Sequence, residues 1–525
     1  MNPAAPRNSN RLFLACNISL VASAIGFVVR AFLLNELGKK FNLSESQLGS
    51  IQGAGLYPQA VTMILSALVV DRIGYRRTMA FGFICHILSA ILVMSANGYA
   101  ALYLGTFIFA LAGGIVEGVI NPVTATLYPK KKTHYLNILH AGWPGGMVLG
   151  GLVVILIGSV GGENSWRWKV GLYLIPTLIY GWMMFREPFP VQERVAAGIS
   201  YLEMLKECGW GGCFLICLFL GYAMDEILRV FNFSLSTPVI LGIGILPTVL
   251  FATRIRNFGR PMFVFMMLIM TLLATTELGT DSWIANLMTP VLRDAGPNAG
   301  NWVLIYTSAI MFGLRFFAGP IAHRISPLGL LAVCAAIASI GLTWLAHAGS
   351  APVMVFLAAT CYGMGKSFFW PTTLGIVSEQ FPKGGALTLS SVSAVGLIAV
   401  GVIGSPLLGT IQDDSLDKRL AQENPGLHSR IVETQQHKYG FTYRPLDKAK
   451  IALLTPAKQL SVEQIRGVNN QATLGKVAVL PAIMFICYLG LIAYFKSRGG
   501  YRDVQLSASP AAAGIKAFSP LERSD

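Results

Sequence analysis

Residues 114–122 read Gly-Ile-Val-Glu-Gly-Val-Ile-Asn-Pro, and the fold turns on the acid in the middle, Glu117. The stretch lies inside an apolar run over 101–127, about 27 residues, long enough to cross a bilayer. A carboxylate near the centre of such a run costs roughly 2.5–3.5 kcal/mol on insertion scales, so it is held against a partner or a wet cavity. Asn121 stands four residues on, on the same helix face. Residues 363–371, Gly-Met-Gly-Lys-Ser-Phe-Phe-Trp-Pro, repeat the arrangement about 249 positions later with the charge reversed. Lys366 takes the place of Glu117, and Trp370 and Pro371 take those of Asn121 and Pro122. Similar tags follow, Tyr128-Pro129-Lys130 and Phe381-Pro382-Lys383. An acid and a base at matching depths of two related halves point to a central site facing one cavity. The plainer alternative is a structural ion pair.

Composition agrees with a membrane setting. The 525 residues are 54% hydrophobic and 12% charged, against about 25% charged in a soluble domain. The net charge of +15 would suit a nucleic-acid binder, but the basic residues are scattered over short loops. Membrane lipid is the expected surround, and no nucleic-acid partner is expected. The eight cysteines lie in or at the edge of apolar segments, so no disulfide framework is implied. The first apolar run is too long for a signal-peptide core and reads as the first spanning helix.

Fourteen apolar segments are predicted as helices: 12–35, 50–70, 79–97, 101–127, 135–159, 168–185, 208–224, 233–252, 261–291, 300–322, 328–348, 351–378, 386–411 and 477–495. The fold class is an all-α membrane protein of 14 spans. Residues 1–185 form a six-helix N-terminal half and 261–495 a six-helix C-terminal half. A linker, 186–260, carries two extra helices between them. Loop charge sets the orientation. One side holds 21 Lys and Arg and the opposite short loops hold six, which puts both termini in the cytoplasm of a cytoplasmic (inner) membrane. The polar segment 412–476 then lies outside, as a small cap or a flexible loop. The tail 496–525 is expected to be disordered in the cytoplasm.

The second helix ends in Ala67-Leu-Val-Val-Asp71-Arg72-Ile-Gly74-Tyr-Arg76-Arg77. The order has the sense of a latch. Asp71 at a helix end can pair with a cation, Gly74 permits the tight turn, and Arg72 and Arg76 hold the loop at the membrane surface. This resembles the loop signature of the major facilitator superfamily, Gly-x-Leu-Ala-Asp-Arg-x-Gly-Arg-Arg, with Ala67 replacing the leading Gly. A degraded copy runs from Gly313 to Arg324, with His323 in the acid's place. The resemblance implies two six-helix halves related by a parallel repeat, and a cytoplasmic gate at Asp71, Arg72, Gly74 and Arg76.

A closer resemblance rests on Glu117-x-x-x-Asn121-Pro122, then Leu136-Asn137-x-x-His140-Ala141, with Ile51-Gln52 and Glu277. It is similar to the fucose–galactose–glucose proton symporter family. In that family the helix-4 acid takes part in sugar binding, a role that carries to Glu117. Ala31, beside Arg30, stands where the family has its helix-1 coupling acid. Coupling therefore moves to the seventh helix, where Glu277 and Asp281 are four apart on one face. Paired carboxylates suit a proton carrier or a sodium site. They can equally neutralise the charge partners Arg30 and Arg315, or Lys366.

Trp143, Trp283 and Trp370 fall near these charges and can stack on a sugar ring. The expected substrate-binding set is Glu117, Asn121, Asn137, His140, Trp143, Gln52, Lys366, Trp370 and Trp283. The expected function is secondary active transport of a small polar solute, a sugar first, by alternating access with ion coupling. A facilitator or exporter of another small organic solute, and a nutrient sensor, are the alternatives. No metal pattern, nucleophile elbow or nucleotide loop is present, so no enzyme is expected. Neither is a cofactor or a metal site, beyond a coupling proton or sodium ion, and the chain is expected to act as a monomer.

Overall fold

Backbone polar groups cannot stay unpaired in hydrocarbon, which leaves helices or closed barrels as spanning structures. The chain takes helices. The computed structural model describes residues 9–43, 45–160, 162, 165–229, 233–296, 298–438 and 441–506. The first half runs α1 (Ser9–Lys40), α2 (Glu45–Ala54), α3 (Tyr57–Ile73), α4 (Tyr75–Met94), α5 (Tyr99–Leu127), α6 (Lys132–Val160), α7 (Ser165–Gly171) and α8 (Leu174–Met184). A short α9 (Glu193–Ala196) leads to α10 (Tyr201–Arg229) and α11 (Thr237–Ile255), which pack on each other. The second half runs α12 (Pro261–Ala274), a π turn Thr275–Gly279, α13 (Thr280–Met288), α14 (Ala299–Arg315), α15 (Ala318–Ile325) and α16 (Pro327–His347). It continues through α17 (Pro352–Lys366), α18 (Phe369–Gln380), α19 (Gly385–Ala399), a second π turn Val400–Gly404 and α20 (Ser405–Glu423). After α21 (Pro425–Ile431), β1 (Gln436–Lys438), β2 (Phe441–Tyr443), α22 (Lys448–Ala452) and α23 (Pro456–Val477), it ends in α24 (Val479–Lys496).

Ten helical runs among the described residues are long and apolar enough to cross a membrane. They coincide with ten of the fourteen expected segments. Of the other four, 50–70, 168–185 and 300–322 are interrupted by turns at Gly55, Leu172 and Phe316. The fourth, 386–411, contains the π turn Val400–Gly404 and several side chains outside the described set.

Two contacts set how the helices pack. Gly114 on α5 lies so close to α3 that a Cβ there would come 2.2 Å from the carbonyl oxygen of Gln59. Gly365 on α17 does the same to α16, with a Cβ 2.3 Å from the amide nitrogen of Ala338. Small residues allow such approach where apolar attraction between helices in lipid is weak. Gly114→Ala is expected to push α3 from α5, costing about 1–3 kcal/mol by overpacking and lowering the melting temperature in detergent. An unchanged melting curve would show that the two helices part freely.

The halves meet where α6 packs on α14 and α18, and where α3 packs on α19. Segment 412–476 is a folded cap. α20 runs through its start, a two-stranded antiparallel hairpin follows, and α23 returns the chain. Leu416, Leu420, Leu427, Ile431, Val462 and Ile465 form its own small core, and α23 seats it on α13 and α16. Part of the tail expected to be disordered is docked. The Val504 amide donates to the Glu379 carbonyl at 2.9 Å, and the Gln380 side chain donates to the Arg502 carbonyl at 2.7 Å. Residues 507–525 lie outside the described residues.

Candidate functional site

The close approach at Gly114 brings Gln59 of α3 to Glu117 of α5. The Gln59 Nε2 donates to the Glu117 Oε1 at 2.9 Å, and Glu117 is 5% exposed. One turn on, Asn121 Oδ1 accepts from His140 Nε2 of α6 at 2.9 Å. Both bonds lie within the first half and join three of its helices.

Arg315, at the end of α14, crosses to this layer. Its guanidinium donates to the His140 carbonyl, to the Ser367 carbonyl at 2.8 Å and to Glu277 Oε1 at 3.0 Å. The planar fork of five donors lets one side chain serve α6, the turn after α17 and the π turn together. Lys366 pairs with Asp281, and its ammonium lies 5.2 Å from the centre of the Tyr362 ring. Both cations are buried, at 1% and 0% exposure. The second oxygens, Glu277 Oε2 and Asp281 Oδ2, are buried with no hydrogen-bond partner among the described residues.

The structure therefore distributes the six intramembrane charges differently from the sequence-level picture of Glu117 facing Lys366. Lys366 takes Asp281 and Glu117 takes Gln59. Arg315 takes Glu277, whereas Arg30 joins neither acid of the seventh helix. Its guanidinium lies 5.7 Å from the Phe27 ring centre and 5.9 Å from that of Phe109.

Glu277 sits on the π turn, which the reading as one continuous helix over 261–291 missed. π turns widen a helix by one residue and re-aim its side chains. The second π turn packs against the first. The Tyr57 hydroxyl, from the first half, donates to the carbonyl of Gly401 within it at 3.2 Å. Glycines within the turns, Gly279 in the first and Gly401 and Gly404 in the second, are the local trace in sequence.

Asn137 donates to Thr372 Oγ1 at 3.1 Å, linking α6 to α18 across the halves. Trp143 is half-buried and tilted on Phe27, with ring centres 5.4 Å apart. Trp370 is buried, and Trp283 is half-buried beside Gly409. The Gln52 side chain lies outside the described residues.

The residues of the Asp71–Arg77 turn tie one end of the bundle together. Gly74 takes φ +88° and caps α3. Asp71 pairs with Arg194 of α9, a buried partner that sequence reasoning did not name. With its amide turned to suit both neighbours, Gln192 donates to Asp71 Oδ1 at 2.6 Å and accepts from the Ala386 N–H of α19. Arg76 donates to the Phe185 carbonyl, and Arg72 stacks over Tyr201 with its guanidinium 5.4 Å from the ring centre. Lys132 binds Glu193 at 2.6 Å and the Ser378 carbonyl at 3.3 Å. Glu379 accepts from Thr133 Oγ1 and from the Tyr501 hydroxyl, each at 2.6 Å. This end therefore joins both halves, α9 and the docked tail. The sequence signal for the missed Arg194 was the Glu193-Arg194 pair in the linker after the first half.

The Major Facilitator Superfamily model matches residues 14–276 of the 525. A gentisate transporter of Corynebacterium glutamicum is 25% identical over 174 residues, covering 32% of this chain and 38% of that protein. A glucose transporter of Staphylococcus epidermidis is 26% identical over 161 residues, covering 30% and 33%. The chain thus spans well under half the length of these two relatives. The structure of an E. coli fucose:proton symporter aligns with a TM-score of 0.56 at 16% identity, covering 90% of this chain and 98% of that one. That likeness is one of fold.

Proposed function

The chain belongs to the major facilitator superfamily, and from that premise we propose that it is a secondary transporter of a small polar solute, a sugar first. The observation that carries the reading is the buried polar chain between the halves. It runs Asn121–His140 in the first half and, through the His140 carbonyl, Arg315–Glu277 in the second, with Gln59–Glu117 one turn away. Polar groups at this depth are costly unless they serve a path. A solute whose hydroxyls replace these bonds can part the halves without leaving any group unpaired. Glu117 and Asn121 accept hydroxyl protons, and Trp143 and Trp370 offer apolar faces.

The basic end is cytoplasmic under this proposal, and the latch is the gate. Coupling belongs to Glu277 and Asp281, whose second oxygens are left for a proton or a cation. Uptake into vesicles of the purified protein tests the reading, with a panel of hexoses, pentoses and hydroxy-aromatic carboxylates. Saturable sugar uptake supports it. Uptake confined to the carboxylates would move the assignment to organic acids, the solute named for the gentisate relative. Binding without uptake would make the chain a sensor. Glu117→Gln is expected to reduce sugar uptake by at least about tenfold, the effect of about 1.4 kcal/mol, while leaving the melting temperature close to wild type. Equal uptake would remove Glu117 from the solute site. In the Glu277→Gln and Asp281→Asn protein that folds, each change leaving a buried cation without its partner, accumulation under a proton or sodium gradient is expected to be lost while equilibration remains. Accumulation at the wild-type level would take coupling off the seventh helix.

A further inference from the structure

Arg30 has a setting that the solute path does not explain. It lines a cavity of about 50 Å³ inside the first half, together with Gly26, Ile51, Ser89, Phe109 and Tyr173. Phe109 is two turns before Glu117 on α5, about 12 Å along the helix, so this cavity lies in a different layer. The guanidinium is held on three sides. Phe27 and Phe109 present their rings, and Gly55, in the break between α2 and α3, lies so close that a Cβ would come 2.4 Å from Arg30 Cζ.

No counter-charge comes with it. Among the described residues no carboxylate pairs with Arg30, and its Nε is buried with no acceptor. The nearest acid along α1, Glu36, is bound to Lys169 at 2.8 Å. The Ser89 hydroxyl is taken, donating to the Gly105 carbonyl at 2.7 Å, with the Tyr173 hydroxyl 3.1 Å away. A guanidinium stays charged at any relevant pH. Arg30 is half-buried, and two phenylalanine faces attract its charge by less than removal from water costs it. Among the described residues the site therefore lacks one negative charge and one acceptor.

We propose that this cavity binds a small monovalent anion, a halide or a short carboxylate, on Arg30. Size decides against larger solutes. A cavity needs about 10–15 Å³ to hold one water, so this one takes the volume of a few waters and excludes a hexose or an aromatic acid. The guanidinium edge receives the anion through charge-assisted hydrogen bonds, and the Phe27 and Phe109 rings flank it.

The test uses the full chain, purified in chloride-free gluconate buffer. Chloride, acetate or nitrate is exchanged for gluconate at constant ionic strength and the melting temperature is followed. A ligand of the folded state raises it with saturation. The expected result is a saturable rise with at least one of the three. Chloride alone would assign a halide site, and acetate a carboxylate site. Arg30→Met is expected to abolish the rise, and Arg30→Lys to shift its midpoint to roughly tenfold higher anion, because an ammonium cannot bind in a fork. Should Arg30→Met fail to fold, Gly55→Ala displaces the guanidinium and is expected to weaken the anion in the same way. No anion-dependent rise in the wild type, or an equal rise in these variants, overturns the proposal. The readout is binding, so it stands apart from whether sugar is the transported solute.

Discussion

Lys366→Met is expected to destabilise the folded protein by about 3–5 kcal/mol, because it strands Asp281 as a lone charge in the membrane interior. Asp281 is 3% exposed and Lys366 fully buried, so water cannot take over the lost contact. The double variant Lys366→Met with Asp281→Asn is expected to recover most of that loss. The same rule applies to Arg315→Met, with Glu277→Gln as the rescuing change, but recovery there is smaller. Arg315 also holds the carbonyls of His140 and Ser367, which a rescued acid leaves unpaired. Melting temperature and yield of monodisperse protein in detergent measure both series. Additive losses in the Lys366–Asp281 series would show that the two charges do not depend on each other. A rescue of Lys366→Met by Glu117→Gln instead would return the pairing to the one expected from the repeat.

Asp71→Asn is expected to open the latched end. The change removes the charge facing Arg194 and one acceptor of Gln192, which itself reaches α19 of the other half. Where two conformations differ by a few kcal/mol, a mutation that removes a contact made in only one of them shifts the populations. Ser378, buried under Lys132 at this end, reports the change when replaced by Cys in a chain freed of its native cysteines. Its labelling rate is expected to rise about tenfold in Asp71→Asn, the shift that 1.4 kcal/mol produces. Glu379→Gln is expected to act in the same direction with a smaller effect, because its amide oxygen can still accept from Thr133 while only the oxygen facing Tyr501 is replaced by a donor. Identical labelling in Asp71→Asn and the parent would mean that the latch does not control this end.

Both predictions turn on partners, and partners mark where sequence and structure divide. The sequence by itself determined that the chain is a helical membrane protein, and which residues carry charge inside the membrane. Those follow from apolar run length and from the rarity of charge within such runs, both local properties. The latch was legible for the same reason, since Asp71, Gly74 and the arginines act within one turn of chain. Only the tertiary structure decided that Lys366 meets Asp281, 85 residues away, and that Asp71 meets Arg194, 123 residues away. Three acids and three bases at similar depth can be matched in several ways of equal net charge. The choice depends on how each helix is rotated about its axis, where one residue turns a side chain by about 100°. The π turn at Thr275–Gly279 inserts such a rotation immediately around Glu277, and periodicity read along a regular helix cannot register it. The approach of α3 to α5 at Gly114 likewise placed Gln59 on Glu117, because the separation of two helices is a property of their packed surfaces and not of either sequence alone.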